Sequence, residues 1–282
     1  VRSKSPAERC RSWQLFIAAA LTVALAAASG CAPAPDASAE PAAPTWPRPA
    51  PRSGYAFQQA DTQALQDDPF ANPGLLWVDQ GAALWADATQ GPSCASCHRA
   101  TDPVRHPLAD AAHRYPRFDA QRQRLINLEQ QINRCRVDRQ GRPAYAWESP
   151  PLLALTTYLA HQARGSEVTL AITPETAPFL ALGRQYYYER RGQMNLACHH
   201  CHERSVGAML RGDRLSQGLG NGYPTYRLQW QTIGSLQRRL RFCNAGVRAE
   251  PFAFGAAEYV NLELYLKWRA QGLTIETPAV RR

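Results

Sequence analysis

What the sequence is short of narrows its chemistry before any motif is read. Only two of its 282 residues are methionine, Met194 and Met209. The one long apolar run, Leu15 to Ala28, is shorter than the roughly 20 residues that cross a bilayer comfortably. No stretch alternates apolar and polar residues persuasively, which sets aside an all-β sandwich or barrel and points to a mainly α chain. The two C-x-x-C pairs are far more than the about 15–20 residues apart that a zinc ribbon needs. Neither pair sits in the βαβ pattern of a thioredoxin-like redox site.

Two five-residue stretches stand out against that background. Cys94-Ala95-Ser96-Cys97-His98 and Cys198-His199-His200-Cys201-His202 both read C-x-x-C-H, the attachment signature of a c-type haem. Two sulfurs three residues apart reach one porphyrin edge and bond its vinyl groups, and the adjacent histidine swings under the iron. Cys94 and Cys97 would therefore hold one haem with His98 as proximal ligand. Cys198 and Cys201 would hold a second with His202.

A second axial ligand is Met or His in most electron-transfer cytochromes. Met194 and Met209 lie four residues before Cys198 and seven after His202, too near the attachment to reach the opposite face, and neither is placed for the first haem. The spare histidines His106, His113 and His161 all lie in the first half, so bis-His ligation stays open for haem 1 and has no local candidate for haem 2. His199 and His200 are inside the second motif and badly placed. Two cysteines remain, Cys135 and Cys243, 37 and 41 residues after their proximal histidines. Their equivalent places argue for equivalent work as axial thiolates. A disulfide between them, or two buried free thiols, are the competing readings.

Those places are part of a wider repeat. Ala154 to Leu159 followed by Gly165 matches Asn261 to Leu266 followed by Gly272, and each half runs haem motif, lone cysteine, closing helix. The first closing helix presents Leu152, Leu155 and Leu159 on one face, with Pro150 and Pro151 at its start and Gly165 as its stop. The second presents Tyr259, Leu262, Tyr265 and Leu266, with Gly272 as its stop. Phe179, Leu182 and Tyr186 mark a helix before the second haem motif. The expected architecture is two tandem class I cytochrome c-like domains related by internal duplication, residues 55–168 with haem 1 and 169–282 with haem 2.

An export signal and a tether precede them. Arg2, Lys4, Arg9 and Arg11, the apolar run and the small residues Ala28-Ser29-Gly30 form a signal peptide over 1–30. Cys31 directly after it is a candidate lipid anchor. Residues 31–54 are Ala/Pro-rich and are expected to be an extended tether. The expected location is the periplasm, with membrane tethering if Cys31 is acylated; export also suits haem attachment.

The formal net charge is +9, and it sits late in the chain: residues 178–282 carry 15 basic and 7 acidic side chains. Around Cys243 the sequence is Arg238-Arg239-Leu240-Arg241-Phe242, with Arg248 after it. Arg239, four residues before Cys243, shares its side of a helix. A guanidinium there lowers a thiol pKa and binds oxyanions. A basic face for docking a partner protein is the blander alternative; nucleic acid is not an expected partner. The asymmetry nominates haem 2 for chemistry on an anion.

The run Gly222-Tyr-Pro-Thr-Tyr-Arg-Leu-Gln-Trp230, then Gly234-Ser-Leu-Gln-Arg-Arg239 to Cys243 and Gly246-Val-Arg-Ala-Glu-Pro251, resembles the SoxA family, dihaem cytochrome subunits of the bacterial sulfur-oxidising Sox system. Ile132-Asn-Arg-Cys-Arg136, Glu263 to Leu266 and Glu276 to Val280 are similar to it as well, so the likeness spans about Leu75 to the end. The resemblance implies an L-cysteine S-thiosulfotransferase with two covalent haem c groups. It implies pairing with the monohaem cytochrome SoxX and conjugation of thiosulfate to a cysteine of the carrier SoxYZ, two electrons leaving to an acceptor cytochrome c. By the same resemblance Cys243 is both ligand of haem 2 and catalytic sulfur, carried as a persulfide in the family; Arg239 holds the anion; Cys135 ligates haem 1. Competing readings are a dihaem thiosulfate dehydrogenase forming tetrathionate, which needs no carrier, and a non-enzymatic electron-transfer cytochrome.

Overall fold

Two crossed helix pairs carry the architecture, each held at a distance only glycine permits. The computed structural model describes residues 46–98, 108 and 111–282. The expected signal peptide, Cys31, the tether up to residue 45 and His106 lie outside the described residues.

Helices α1 (Ala60–Asp67) and α2 (Leu75–Ala86) precede the first haem motif, whose cysteines end a one-turn helix α3 (Cys94–Cys97). A further turn α4 (Ala111–Arg114) and a hairpin of β1 (Arg117–Asp119) with β2 (Arg124–Ile126) lead into α5 (Leu128–Gln140), which bears Cys135, and then α6 (Pro150–His161). The second half repeats the order. Helix α7 (Ala177–Tyr188) precedes the second motif, and β3 (Met209–Leu210) with β4 (Asp213–Arg214) forms a small hairpin after it. Then β5 (Thr225–Arg227) and β6 (Thr232–Gly234) lead into α8 (Leu236–Gly246), which bears Cys243, and α9 (Ala257–Arg269). The last strand, β7 (Ala279–Arg281), lies parallel to β5, leaving β5 central in a three-stranded sheet.

The local sequence explains where the cysteine-bearing helices begin. Asn127 and Gln130 form a reciprocal capping box at the start of α5, each side chain accepting from the other's backbone N–H at 3.0 Å. Ser235 caps α8 by accepting from the Arg238 N–H at 3.1 Å. At α6 the cap position is Ser149, with prolines in the first turn where no backbone donor is needed.

Helix α2 crosses α6, and α7 crosses α9. A Cβ on Gly81 would lie 2.2 Å from the Ala154 carbonyl oxygen, and one on Gly183 2.1 Å from that of Asn261. Tyr158 and Tyr265 flank the two crossings in the same way.

Several expectations change. Among the described residues there are seven two- or three-residue strands, each too short to show periodicity in sequence. The closing helix α9 is buried nearly all round, Val260, Asn261, Glu263 and Leu264 included, because β2 and α7 cover it from different sides. On α7 the inward residues are Leu180, Gly183, Tyr186 and Tyr187, and Leu182 points outward at 49% exposure. Gly165 and Gly272 sit past the helix ends rather than capping them. Their positive φ values, +89° and +85°, turn the chain so that Gly165 N–H donates to Ile275 O and Gly272 N–H to Val168 O. The connector between the halves is thus stitched to the C-terminal segment. The end of the expected tether is also packed: Trp46 stacks edge-on against Trp268, and Arg48 donates to the Trp268 carbonyl at 2.9 Å.

Between the halves lies a cavity of about 140 Å³ lined by Asn127, Glu129, Tyr223, Glu263 and Lys267 among others. Burial raises the carboxyl of Glu129 to about 7. Burial, then repulsion from Glu129, raises that of Glu263. Burial lowers the Lys267 ammonium to about 7, and it donates to the carbonyls of Ala112, His113 and Tyr115.

Two measurements test this packing. Gly81→Ala and Gly183→Ala should each lower unfolding free energy by about 1–3 kcal/mol in chemical denaturation. Gly246→Ala, at the open end of α8 with nothing within 4 Å, should be close to neutral. An acid whose folded pKa is raised stabilises the fold fully below its free value of 4.5 and loses that contribution as pH climbs through about 7. Glu129→Gln should therefore leave Tm nearly unchanged at pH 5 and raise it by about 5 °C at pH 8.

Candidate functional site

His202 and Cys243, 41 residues apart in sequence, come within hydrogen-bond reach of one another. His202 lies in a one-turn π-helix (His200–Arg204) that follows Cys198. Its Nδ1 is 2.8 Å from the Ser216 carbonyl, which only accepts, so Nδ1 carries a proton there. Gly218, at φ +68°, makes room for the ring: a Cβ there would lie 2.8 Å from His202 Cγ.

Helix α8 sets the other side. Arg239 and Cys243 are one turn apart on it. The next residue, Asn244, is buried and donates to the hydroxyls of Tyr186 and Tyr259, each at 2.9 Å. That tie to α7 and α9 fixes the rotation of α8, and with it the direction of Cys243.

The three cysteines of this half are electrostatically divided. Burial pushes the Cys198 thiol up to about 12 and raises Cys201, the charge on Cys243 adding to both. Burial also pushes Cys243 up, but Arg239, the hydrogen bond and charge of His202, and Arg227 together outweigh it and bring the thiol down to about 7. Arg239 is held above its usual value by the sulfur, against its own desolvation. This set of side chains would fit a covalent haem c: Cys198 and Cys201 could supply the two thioethers, and His202 and Cys243 could bind the iron.

The first half is built alike and charged differently. His98 ends α3 with its ring 5.2 Å from that of Trp85. Cys135 on α5 is near enough for its charge to raise Cys94. Four residues before Cys135, where α8 has Arg239, stands Gln131, whose Nε2 donates to the sulfur at 3.0 Å. The basic neighbours are used elsewhere, Arg134 on Asp119 at 2.7 Å and Arg136 on Pro143 O and the Tyr145 hydroxyl. Cys135 and Cys243 are each unpaired, which removes the disulfide reading. His113 is 2.9 Å from Ser166 Oγ and His161 3.0 Å from Thr277 O.

Three residues of the site carry no role in the sequence reading: Asn244, Gly218 and Arg227. Asn244 was findable only as the neighbour of Cys243. Arg227 lies in β5, sixteen residues from the cysteine, with no periodicity to connect them.

Residues 80–168 match the family model described as SoxA/TsdA, cytochrome c domain. The L-cysteine S-thiosulfotransferase subunit SoxA of Pseudaminobacter salicylatoxidans is 42% identical over 234 residues, covering 82% of this chain and 80% of that protein. The subunit of the same name from Rhodovulum sulfidophilum is 38% identical over 232 residues, with the same shares covered. Among solved structures, SoxXA from P. pantotrophus superposes with a TM-score of 0.77 at 35% identity, covering 82% of this chain and 87% of that one.

The Asn244 tie gives a direct test. Asn244→Ala strands two buried tyrosine hydroxyls and should cost about 2 kcal/mol of stability. With α8 free to turn, the absorption and electron paramagnetic resonance of the second haem should broaden. Gln131→Ala should leave that signal unchanged.

Proposed function

This chain belongs to the SoxA family of L-cysteine S-thiosulfotransferase subunits, and we propose that Cys243 is its reacting sulfur and Arg239 the residue that holds the anion there. The enzyme conjugates thiosulfate to a cysteine, acts with a SoxX partner, and carries covalent haem c. The observation that supports Cys243 is its buried, thiolate-favouring position one helical turn from Arg239 and within reach of His202.

The remaining assignments follow the same reading. Cys94 and Cys97 would attach one haem, its iron held by His98 and Cys135, and Cys198 and Cys201 would attach a second, its iron held by His202 and Cys243. The repeated order of elements supports a duplication into cytochrome c domains 55–168 and 169–282. The receiving cysteine belongs to the carrier SoxYZ, and the electrons pass to an acceptor cytochrome c. The basic, apolar and small-residue order of residues 1–30 supports export to the periplasm, with Cys31 as the candidate lipid anchor.

Haem, when bound, supplies a one-electron acceptor beside the sulfur. The chain's own residues do the rest. Arg239 seats the thiosulfate dianion and keeps the Cys243 sulfur ionised as the two negative groups approach. The sulfur and the sulfane end of thiosulfate form an S–S bond, and two electrons leave. The carrier thiolate then attacks the sulfane sulfur, the bond to Cys243 breaks, and Cys243 departs as thiolate. The carrier ends with a cysteine S-thiosulfonate. Atoms and charge balance over the two steps: one thiosulfate and one carrier thiolate are consumed, and two electrons are released. No proton transfer is required, which accords with a nucleophile held ionised near neutral pH.

The matched family model is shared with TsdA, so a dihaem thiosulfate dehydrogenase is the second reading. Carrier dependence separates the two. Sustained thiosulfate-driven turnover should require the carrier, and Cys243→Ala should slow it by at least about 10³-fold. Mass spectrometry under non-reducing conditions should find a sulfur adduct on the Cys243 peptide after thiosulfate treatment. Tetrathionate formed at full rate without carrier would overturn the reading.

A further inference from the structure

Residues 46–53 read Trp-Pro-Arg-Pro-Ala-Pro-Arg-Ser, with proline at every second position from 47 to 51. Each proline fixes φ and removes a donor, so the segment is extended in advance and cannot join a sheet as an ordinary strand. It is nonetheless anchored on the second half from end to end. Trp46 packs edge-on against Trp268, and Arg48 donates to the Trp268 carbonyl and to Gln271 Oε1, each at 2.9 Å. Ser53 donates to Glu276 and accepts from Asn221 Nδ2 at 3.3 Å.

Between those anchors the arm is held by Gln217, a side chain with 9% exposure. Its Nε2 donates to the Ala50 carbonyl at 3.0 Å, and its Oε1 accepts from the Arg52 N–H at 2.6 Å. A carbonyl and the N–H two residues on are the pair that a neighbouring parallel strand would bond, so the amide stands in for a strand. Its place in the chain gives the tie a second meaning. On one side is Ser216, whose carbonyl lies 2.8 Å from His202 Nδ1. On the other is Gly218, where a Cβ would lie 2.8 Å from His202 Cγ. Both groups that fix the imidazole are chain neighbours of the residue that the arm grips.

A second thread reaches the same histidine from α7. Arg184 lies 4.9 Å from the ring centres of both Trp46 and Tyr188. The ring centres of Tyr188 and His199 are 5.0 Å apart, and the Tyr188 hydroxyl donates to Glu203 at 2.9 Å. His199 and Glu203 stand three residues before and one after His202.

We propose that the arm of residues 46–53 is a working part of the second haem site, and that Gln217 is the positioning residue through which it sets the direction of the His202 ring. The inference rests on the reading of His202 as a ligand of that haem. A hydrogen bond from Nδ1–H to a carbonyl raises the basicity of the other ring nitrogen, and a more basic ligand favours ferric iron. Releasing Gln217 lets the Ser216 carbonyl drift, weakens that bond and moves the balance toward ferrous iron.

The test uses the full chain, haem-loaded and in complex with SoxX. Gln217→Leu keeps the side chain's bulk and removes both hydrogen bonds, whereas Gln217→Glu keeps the acceptor for Arg52. In spectroelectrochemical titration the ratio of reduced to oxidised second haem at a fixed poise should rise about three- to tenfold in Gln217→Leu, and less in Gln217→Glu. Paramagnetic resonance g values of the second haem should shift in the same order, with those of the first haem as in wild type. Asn72→Ala removes another buried amide, one bonded to the Gln66 and Pro278 carbonyls, and should move neither haem. A wild-type ratio and wild-type g values in Gln217→Leu overturn the proposal. Equal shifts in Asn72→Ala also overturn it, since the effect would then be one of general stability. If Gln217→Leu does not fold, Gln217→Glu decides alone, and wild-type values there overturn the proposal. A His202→Ala complex that kept the wild-type spectrum of the second haem would refute the ligand reading itself, separately from any result at Gln217.

Discussion

A thiolate must be kept ionised where water is scarce, and most of the second half answers that demand. Desolvation alone would drive Cys243 toward its neutral form, as it does Cys198 a short distance away. Cations placed by the fold reverse the sign. One comes from the same helix, Arg239. Another comes from a strand whose position depends on β7, and so on the C-terminal residues. The imidazole of His202 adds a hydrogen bond, and its orientation depends on a carbonyl and on a glycine that leaves it room. None of these groups would hold the charge in water; each counts because the others exclude solvent.

How much of this was legible in the sequence depended on how local the chemistry is. The two C-x-x-C-H motifs stand out, since two sulfurs and an imidazole can reach one porphyrin only if they are neighbours in the chain. Cys135 and Cys243 were found because each stands alone in its half, and Arg239 because helical geometry ties residue i to i+4. Strands of two or three residues carry no period and left no trace. Leu182 reads as core by spacing but faces outward, because the crossing with α9 is centred on Gly183 and turns the neighbouring face inward. Arg227 could not be tied to the cysteine because it lies on a three-residue strand sixteen positions earlier, where no period links the two.

The two halves bring this to a point. Both build the same frame: a crossed helix pair closed on glycine, a strand pair feeding a capped helix, and a cysteine on that helix eight residues from its cap. The first cap is Asn127 ahead of Cys135, the second Ser235 ahead of Cys243. The frame places a cysteine on a capped helix in each half without deciding what the sulfur does. That decision falls to the residue one turn earlier. Gln131 donates a neutral hydrogen bond to Cys135 and leaves nothing for an incoming anion. Arg239 donates a charge, and the strand adds a second one. Like frames thus differ in the donor beside the cysteine, a neutral amide in the first half and a guanidinium in the second.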